Sequence, residues 1–121
     1  MRNLFLYIAI GLTIAIIIGS LIPIKGHLVP GVSLSDKTIH GVAYFILTTC
    51  WLLTIKNKRG LIIASGVISV GILAYGILIE VLQGTVTLYR EFDFLDILAN
   101  FIGIIIAFAF FITVLKKISF N

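Results

Sequence analysis

Four apolar runs, separated by short polar segments, make up most of the chain. They cover residues 4–24, 39–55, 61–82 and 95–115. Each is close to the roughly 20 residues that an α-helix needs to cross about 30 Å of hydrocarbon. The runs do not alternate between apolar and polar positions, as the strands of a membrane barrel would. The pattern predicts an all-α fold, a single-domain bundle of four transmembrane helices over residues 1–121.

The composition supports a membrane protein. Of the 121 residues 60% are hydrophobic and 12% are charged, and the mean hydropathy is +1.22. A soluble domain would carry roughly 25% charged residues. The first run exceeds the apolar core of a cleaved signal peptide, which spans about 7–15 residues, so we interpret it as a retained helix, with cleavage as the lesser alternative. Cys50 is the only cysteine, which excludes an internal disulfide.

Basic residues predict the orientation of the bundle. Six lie at the termini and in the connection between the second and third runs: Arg2, Lys56, Lys58, Arg59, Lys116 and Lys117. Three lie in the other connections: Lys25, Lys37 and Arg90. Lys and Arg accumulate on the cytoplasmic side, so both termini are expected in the cytoplasm of a multi-pass protein of the plasma membrane. The net charge of +4 comes without a basic stripe carrying aromatic residues, which argues against nucleic acid as a partner.

The residues capable of acid–base chemistry gather at the other side, which is predicted to face outward. They are Asp36, Glu80, Glu91, Asp93, Asp96, His27 and His40. A charged side chain near the middle of a membrane helix costs about 2.5 to 3.5 kcal/mol on insertion scales. Polar residues at helical spacing are therefore expected to face one another rather than lipid.

Helical spacing sorts these residues into three polar ridges, which predict one pocket open to the outside. The ridges are Asp36, Lys37, His40 and Tyr44 on the second helix, Glu80 and Gln83 on the third, and Arg90, Asp93, Asp96 and Asn100 at the fourth. As catalytic candidates we take Asp36, His40, Glu80 and Asp96, because carboxylates beside a histidine can act as general bases. As substrate-binding candidates we take Lys37, Tyr44, Gln83, Arg90, Asp93 and Asn100, with Lys37 and Arg90 holding anionic groups such as phosphate.

Each candidate has a structural alternative. Asp36 can serve only as a helix cap, and Tyr44 only as an interfacial aromatic residue. His40 alone is more often a hydrogen-bonded interior residue than a ligand. Three other charged side chains can simply be solvated in loops: Lys37, Arg90 and Glu91. The cofactor is unknown: Asp, Glu and His can bind a divalent metal, but no dense ligand motif is present.

Small residues recur every fourth position in two helices. The rows are Gly11, Ala15 and Gly19 in the first helix and Ala99, Gly103 and Ala107 in the last. Rows of this kind allow helix backbones to approach closely in lipid. Both rows are predicted to pack against neighbouring helices.

Three stretches carry a family resemblance: "SDKTIHGVAYF", "EVLQ" and "REFDFLDILANFIG". They resemble the VanZ-like family of small bacterial membrane proteins, whose pattern is D-K-x-x-H-x-x-x-Y, E-x-x-Q and R-x-x-D-x-x-D-x-x-x-N-x-x-G. Every position of that pattern is present in order across the second to fourth helices. The resemblance implies a cell-membrane protein whose founding family member is associated with low-level resistance to the glycopeptide antibiotic teicoplanin. It implies no established reaction.

Two functional hypotheses follow. In the first, the pocket binds or acts on a polar cell-envelope component, such as a lipid-linked cell-wall intermediate. In the second, the chain is a non-catalytic accessory protein that alters the access of a lipid-anchored glycopeptide, and its polar cluster is a structural network. Membrane lipids are the expected partners in both. An oligomeric transporter is a weaker alternative, because no inverted repeat is visible.

Overall fold

A computed structural model describes residues 2–21, 36–56, 59–86, 93–115 and 117 of the chain. These ranges hold four α-helices: α1 (Arg2–Leu21), α2 (Asp36–Leu52), α3 (Leu61–Val86) and α4 (Phe94–Phe110). A π-helical segment, Phe111–Leu115, continues α4. The described ranges contain no strand, so the all-helical fold class is confirmed for them.

Three helices are long and apolar enough to cross a membrane. Their candidate spans are Asn3–Leu21, Leu61–Thr85 and Phe94–Leu115. Helix α2 has 17 residues, about 26 Å of helix, which is somewhat shorter than the hydrocarbon core. The three spans support a membrane protein. That α2 also crosses the membrane stays a prediction.

The helix ends differ from the predicted bounds in ways that affect the polar residues. Helix α3 continues to Val86, so Glu80 lies about 9 Å from its end instead of near it. Helix α2 begins at Asp36, which places Lys37 in its first turn, and it ends at Leu52. Residues 22–24 of the first predicted run lie outside the described ranges.

The chain leaves α2 through short-range hydrogen bonds that replace the helical ones. The amide of Thr54 donates to the Trp51 carbonyl at 3.1 Å, and the amide of Ile55 donates to the Leu52 carbonyl at 3.2 Å. Gly60, with φ of 69°, then turns the chain into α3. Only glycine adopts such a positive φ without strain, which explains its place at this connection.

Helices α2 and α4 run in the same direction along a close seam. Gly103 of α4 faces the backbone of α2, where a Cβ on Gly103 would overlap the carbonyl oxygen of Gly41 and lie 3.1 Å from the amide nitrogen of Phe45. Close backbone approach of this kind drives helix association where no hydrophobic effect operates. The small-residue row of α4 is confirmed as a packing surface, with Ala107 also fully buried.

The corresponding prediction for α1 is wrong. Gly11, Ala15 and Gly19 are exposed, and a Cβ on Gly11 or Gly19 would meet nothing within 4 Å. Helix α1 instead contacts its neighbours through another face, which carries Leu12, Thr13 and Ile16. Spacing identifies a row of small residues, but it does not say which face of a helix meets a partner.

Two apolar clusters fill the interior. The mid-bundle cluster consists of Tyr44, Leu47, Ile72 and Ile104, and the loop-end cluster consists of Leu52, Ile55, Leu61 and Phe111. The loop-end cluster closes the bundle where α2 and α3 are joined. The opposite end, where α2 and α4 begin and α1 and α3 end, carries the polar side chains and is called the polar end below.

Candidate functional site

The polar end is organised around the ammonium group of Lys37. Its Nζ lies 2.5 Å from Asp93 Oδ2 and 2.8 Å from Asp96 Oδ1, so one cation on α2 joins two carboxylates of the α4 region. Asp96 Oδ1 is buried and has no hydrogen-bond partner among the described residues, and we therefore treat its contact with Lys37 as an ion pair. The side chains of Lys37 and Asp93 are both 40% exposed and that of Asp96 is 7% exposed, so the cluster opens at the polar end and extends inward.

Asp93 holds its place because it caps α4. Its backbone is extended (φ −130°, ψ 110°), and its Oδ1 accepts a hydrogen bond from the amide of Leu95 at 2.9 Å. An Asp at this position satisfies an amide that has no partner within the helix. The hydrogen bond from Lys37, together with that from the Leu95 amide, lowers the pKa of Asp93 below its ordinary value. The carboxylate is thus held in its charged form.

His40 lies one turn below Lys37, between two oxygen atoms of α4. Its Nδ1 is 3.2 Å from Asn100 Oδ1, and its Nε2 is 3.8 Å from Asp96 Oδ2. The first distance is that of a hydrogen bond and the second is too long for one. Asp96 and Asn100 are four residues apart on α4, so both face the same ring.

Glu80 connects α3 to the beginning of α4. Its Oε1 accepts a hydrogen bond from the backbone amide of Asp93 at 2.8 Å, and the side chain is 1% exposed. This bond places the Glu80 carboxylate at the start of α4, where the helix dipole also favours a negative charge.

Two other predicted site residues point elsewhere. Gln83 donates from Nε2 to the carbonyl of Ser20 at 2.9 Å, which satisfies one of the last carbonyls of α1. Tyr44 is 3% exposed in the mid-bundle cluster, with its ring centroid 6.3 Å from that of Tyr75. The predicted substrate-binding role of each stays a prediction.

The remaining predictions fall beyond what the structure describes. Arg90, Glu91 and His27 lie outside the described ranges, as does the side chain of Asp36. Within the described residues, no three His, Cys, Asp or Glu side chains are grouped so that they could hold a metal ion. The divalent metal therefore gains no support from the geometry.

Sequence reasoning missed Gly76 of α3. A Cβ at this position would lie 3.0 Å from Cε2 of Tyr44 and 3.2 Å from Nδ2 of Asn100. The absence of a side chain therefore allows both residues to lie against α3. The available signal was the spacing, since Gly76 precedes Glu80 by four residues and Gln83 by seven on the same helix face.

The described site combines proton-transfer groups with a fixed charge pattern. The carboxylates of Asp93 and Asp96 contact one ammonium group, and that of Glu80 accepts a hydrogen bond from the Asp93 amide. The imidazole of His40 lies between the carboxylate of Asp96 and the amide of Asn100. Imidazole exchanges protons readily near neutral pH. Of the three N–H donors of Lys37, one is hydrogen-bonded to Asp93, and Asp96 lies within ion-pair distance of the ammonium group.

Comparison with known proteins does not assign the chain to a family. No protein-family model, no curated protein and no solved structure matches the chain.

Proposed function

We propose that the chain is a bacterial membrane protein whose polar end faces outward and binds or acts on a polar component of the cell envelope. The component would be a lipid-linked cell-wall intermediate or a lipid-anchored glycopeptide such as teicoplanin. His40 and Asp96 would carry proton transfer, while the ammonium group of Lys37 would hold an anionic group.

One observation carries this proposal: ionisable groups of α2 and α4 converge in a cluster that opens at one end of the bundle. The distances of 2.8 Å between Lys37 and Asp96 and 3.8 Å between His40 and Asp96 define its centre. Ionisable groups within membrane helices are costly, so they are retained mainly where they have a function. The resemblance of the three polar motifs to the VanZ-like family supports the link to teicoplanin.

The test uses a teicoplanin-susceptible Gram-positive host that expresses the full chain. We expect the wild type to reduce susceptibility, and His40→Gln or Asp96→Asn to remove that effect while the amount of protein in the membrane is unchanged. Thr85→Ala is the matched control, because Thr85 is exposed near the same end and its hydroxyl donates to the Val81 carbonyl of its own helix. Wild-type behaviour of the His40 and Asp96 variants would overturn the proposal.

A second readout addresses the ligand directly. Native mass spectrometry of the protein released from membranes should detect a co-purified envelope lipid with the wild type and Thr85→Ala. The same lipid should be lost with Asp96→Asn. Equal lipid retention by all three would contradict a binding role for the cluster.

The contacts of Lys37 also favour a second candidate function, that of a non-catalytic accessory protein. The ammonium contacts two carboxylates, and Asp93 caps a helix. Contacts of this kind are expected of a structural network that fixes the register of the helices. Asp96 is buried, and removal of its charge would leave the ammonium of Lys37 with one carboxylate fewer and would destabilise such a network. If Asp96→Asn loses folded protein in parallel with the effect on susceptibility, the accessory function is the better account.

A further inference from the structure

Asp93 is the residue at which three helices are joined. Its backbone amide donates to Glu80 Oε1 of α3 at 2.8 Å, and its Oδ1 accepts from the Leu95 amide of α4 at 2.9 Å. Its Oδ2 accepts from Nζ of Lys37, in the first turn of α2, at 2.5 Å. The position of this one residue therefore decides how the beginnings of α2 and α4 stand relative to α3.

Among these partners, Glu80 is the most firmly held. It lies within α3, with helical turns on both sides, and it is 1% exposed. The side chain of Lys37 is 40% exposed and ends a flexible stem of four carbons, so its ammonium follows the position of its partners. Leu95 belongs to the same helix start as Asp93 and moves with it. The fixed point of the junction is therefore on α3.

The hydrogen bond between the Asp93 amide and Glu80 has a definite donor and a definite acceptor. A backbone N–H only donates, and a carboxyl group presents an accepting oxygen whether it is ionised or protonated. The bond therefore does not depend on the protonation state of Glu80. It also satisfies an amide at the start of α4 that has no acceptor within that helix.

The ammonium of Lys37 stands between an outer and an inner carboxylate. Nζ is 2.5 Å from Asp93 Oδ2, on a side chain that is 40% exposed, and 2.8 Å from Asp96 Oδ1, on a side chain that is 7% exposed. If the carboxylate of Asp93 moved away, the attraction of Asp96 would draw the ammonium inward. Asp93 therefore keeps the cation at the open end of the cluster, and Glu80 keeps Asp93 in place.

We propose that Glu80 is a positioning residue: by holding the backbone amide of Asp93, it fixes the Asp93 carboxylate and, through it, the ammonium of Lys37 that takes the anionic group of the ligand. This inference rests on the proposed function, in which Lys37 holds that group. Glu80 then acts through Asp93 and needs no contact with the ligand.

The test compares Glu80→Gln with Glu80→Met. Both substitutions remove the carboxylate, and both keep an unbranched side chain of similar length. Only Gln offers an oxygen that can accept a hydrogen bond from the Asp93 amide. A difference between the two variants therefore reports the hydrogen bond and not the charge of Glu80.

The readout is the pKa of Asp93, followed through its carboxyl carbon by NMR of the full chain in lipid nanodiscs. Asp93→Asn identifies its signal among the three aspartates of the chain. In the wild type the pKa of Asp93 lies below its ordinary value of 3.8, chiefly because of the hydrogen bond from Lys37. We expect a higher pKa in Glu80→Met than in Glu80→Gln, because the freed carboxylate loses contact with the ammonium.

Equal pKa values of Asp93 in the two variants would overturn the inference. The other charged groups around Asp93, which are Lys37, His40 and Asp96, are the same in both. Glu80→Asp keeps the test decisive if Glu80→Met does not fold. It retains the charge, but its side chain is shorter by one methylene group, so the pKa of Asp93 should rise above the wild-type value. An unchanged pKa in Glu80→Asp would overturn the inference as well.

Teicoplanin susceptibility of the expressing host separates positioning from acid–base chemistry at Glu80. A positioning role predicts that Glu80→Gln retains the effect of the wild type and that Glu80→Met loses it, at equal amounts of protein in the membrane. Loss of the effect in both variants would assign Glu80 to the chemistry and overturn the positioning role.

Failure of the proposed function is recognised separately. The pKa of Asp93 is measured without antibiotic or envelope lipid, so it does not depend on the identity of the ligand. If the wild type leaves susceptibility unchanged, the envelope function fails, while a higher pKa of Asp93 in Glu80→Met than in Glu80→Gln still supports the link from Glu80 to Lys37.

Discussion

Two threonines show that hydroxyl groups in this bundle have different energetic roles. Thr13 Oγ1 donates to the Ala9 carbonyl at 2.7 Å and accepts from Trp51 Nε1 at 3.0 Å, which links α1 to α2. Thr48 Oγ1 is fully buried and has no hydrogen-bond partner among the described residues. The two hydroxyls therefore differ in what their removal leaves behind.

The first prediction compares Thr13→Val with Thr48→Val. Loss of the Thr13 hydroxyl leaves the indole N–H of Trp51 without its acceptor, and we expect a destabilisation of about 1–3 kcal/mol. Thr48→Val should change the free energy of unfolding by less than about 0.5 kcal/mol, or stabilise the protein, because a buried hydroxyl without a partner is replaced by a methyl group. Unfolding by titration with a denaturing detergent, followed by circular dichroism, gives both values. Equal effects would contradict the hydrogen-bond assignment.

The second prediction concerns the pH dependence of stability at the Lys37–Asp93 pair. The pKa of Asp93 is lowered in the folded protein, chiefly by the hydrogen bond from Lys37, relative to the unfolded value of 3.8. Its contribution to stability is therefore complete above the unfolded pKa and is lost as the pH falls through the lower, folded pKa. The midpoint of unfolding, measured from neutral to acidic pH, should therefore decrease as the pH passes through this window.

Lys37→Met supplies the control for that pH profile. Without the ammonium, the folded pKa of Asp93 moves back towards its unfolded value, and the loss of stability on acidification should be shallower than in the wild type. Parallel profiles for the two proteins would mean that other carboxylates cause the acid sensitivity.

At the scale of helices, the seam between α2 and α4 is the closest contact of the bundle. It is asymmetric, because a Cβ on Gly103 would overlap the Gly41 carbonyl, whereas a Cβ on Gly41 would lie 3.5 Å from the Ala99 carbonyl, an ordinary contact. The same seam sets the distance between His40 and Asn100. Stability and site geometry are thus coupled through one glycine.

The third prediction is that Gly103→Ala destabilises the protein by about 1–3 kcal/mol, the usual cost of overpacking a tight interface. Gly11→Ala is the matched control: it adds the same methyl group to an exposed helix position with open space around it, and it should stabilise the protein by up to about 1 kcal/mol through helix propensity. Detergent unfolding of both variants provides the comparison. A neutral Gly103→Ala would show that the two helices can separate at little cost.

The periodicity of the sequence predicts elements better than it predicts contacts. The apolar runs located all four helices. Helical spacing put Asp96 and Asn100 on one face of α4, and the cost of exposing polar groups to lipid favoured contact between that face and His40, which the structure shows. The sequence of α1 does not show which of its faces packs against the other helices. Its apolar residues surround the helix, so nothing distinguished the exposed Gly11 row from the packed face of Thr13.

The sequence also could not predict which hydrogen-bond partner each polar side chain has. Gln83 reaches a carbonyl of α1, and Glu80 reaches the amide of Asp93. Backbone groups at helix ends are acceptors or donors in every helix, and only tertiary packing decides which side chain is near enough to satisfy them. The cap formed by Asp93 could have been predicted, because an Asp directly before an apolar run is a common helix start.

At the scale of the whole molecule, orientation decides whether the polar end can meet an envelope component. The fourth prediction places Thr85 outside the cell and Lys56 in the cytoplasm, because basic residues gather at the termini and beside the connection between α2 and α3. Both side chains are exposed, so each can be replaced by cysteine in a Cys50→Ser background. A maleimide that does not cross membranes should label Thr85→Cys in intact cells and Lys56→Cys only after permeabilisation. The reverse pattern would turn the site towards the cytoplasm, and the proposed envelope function would then be untenable.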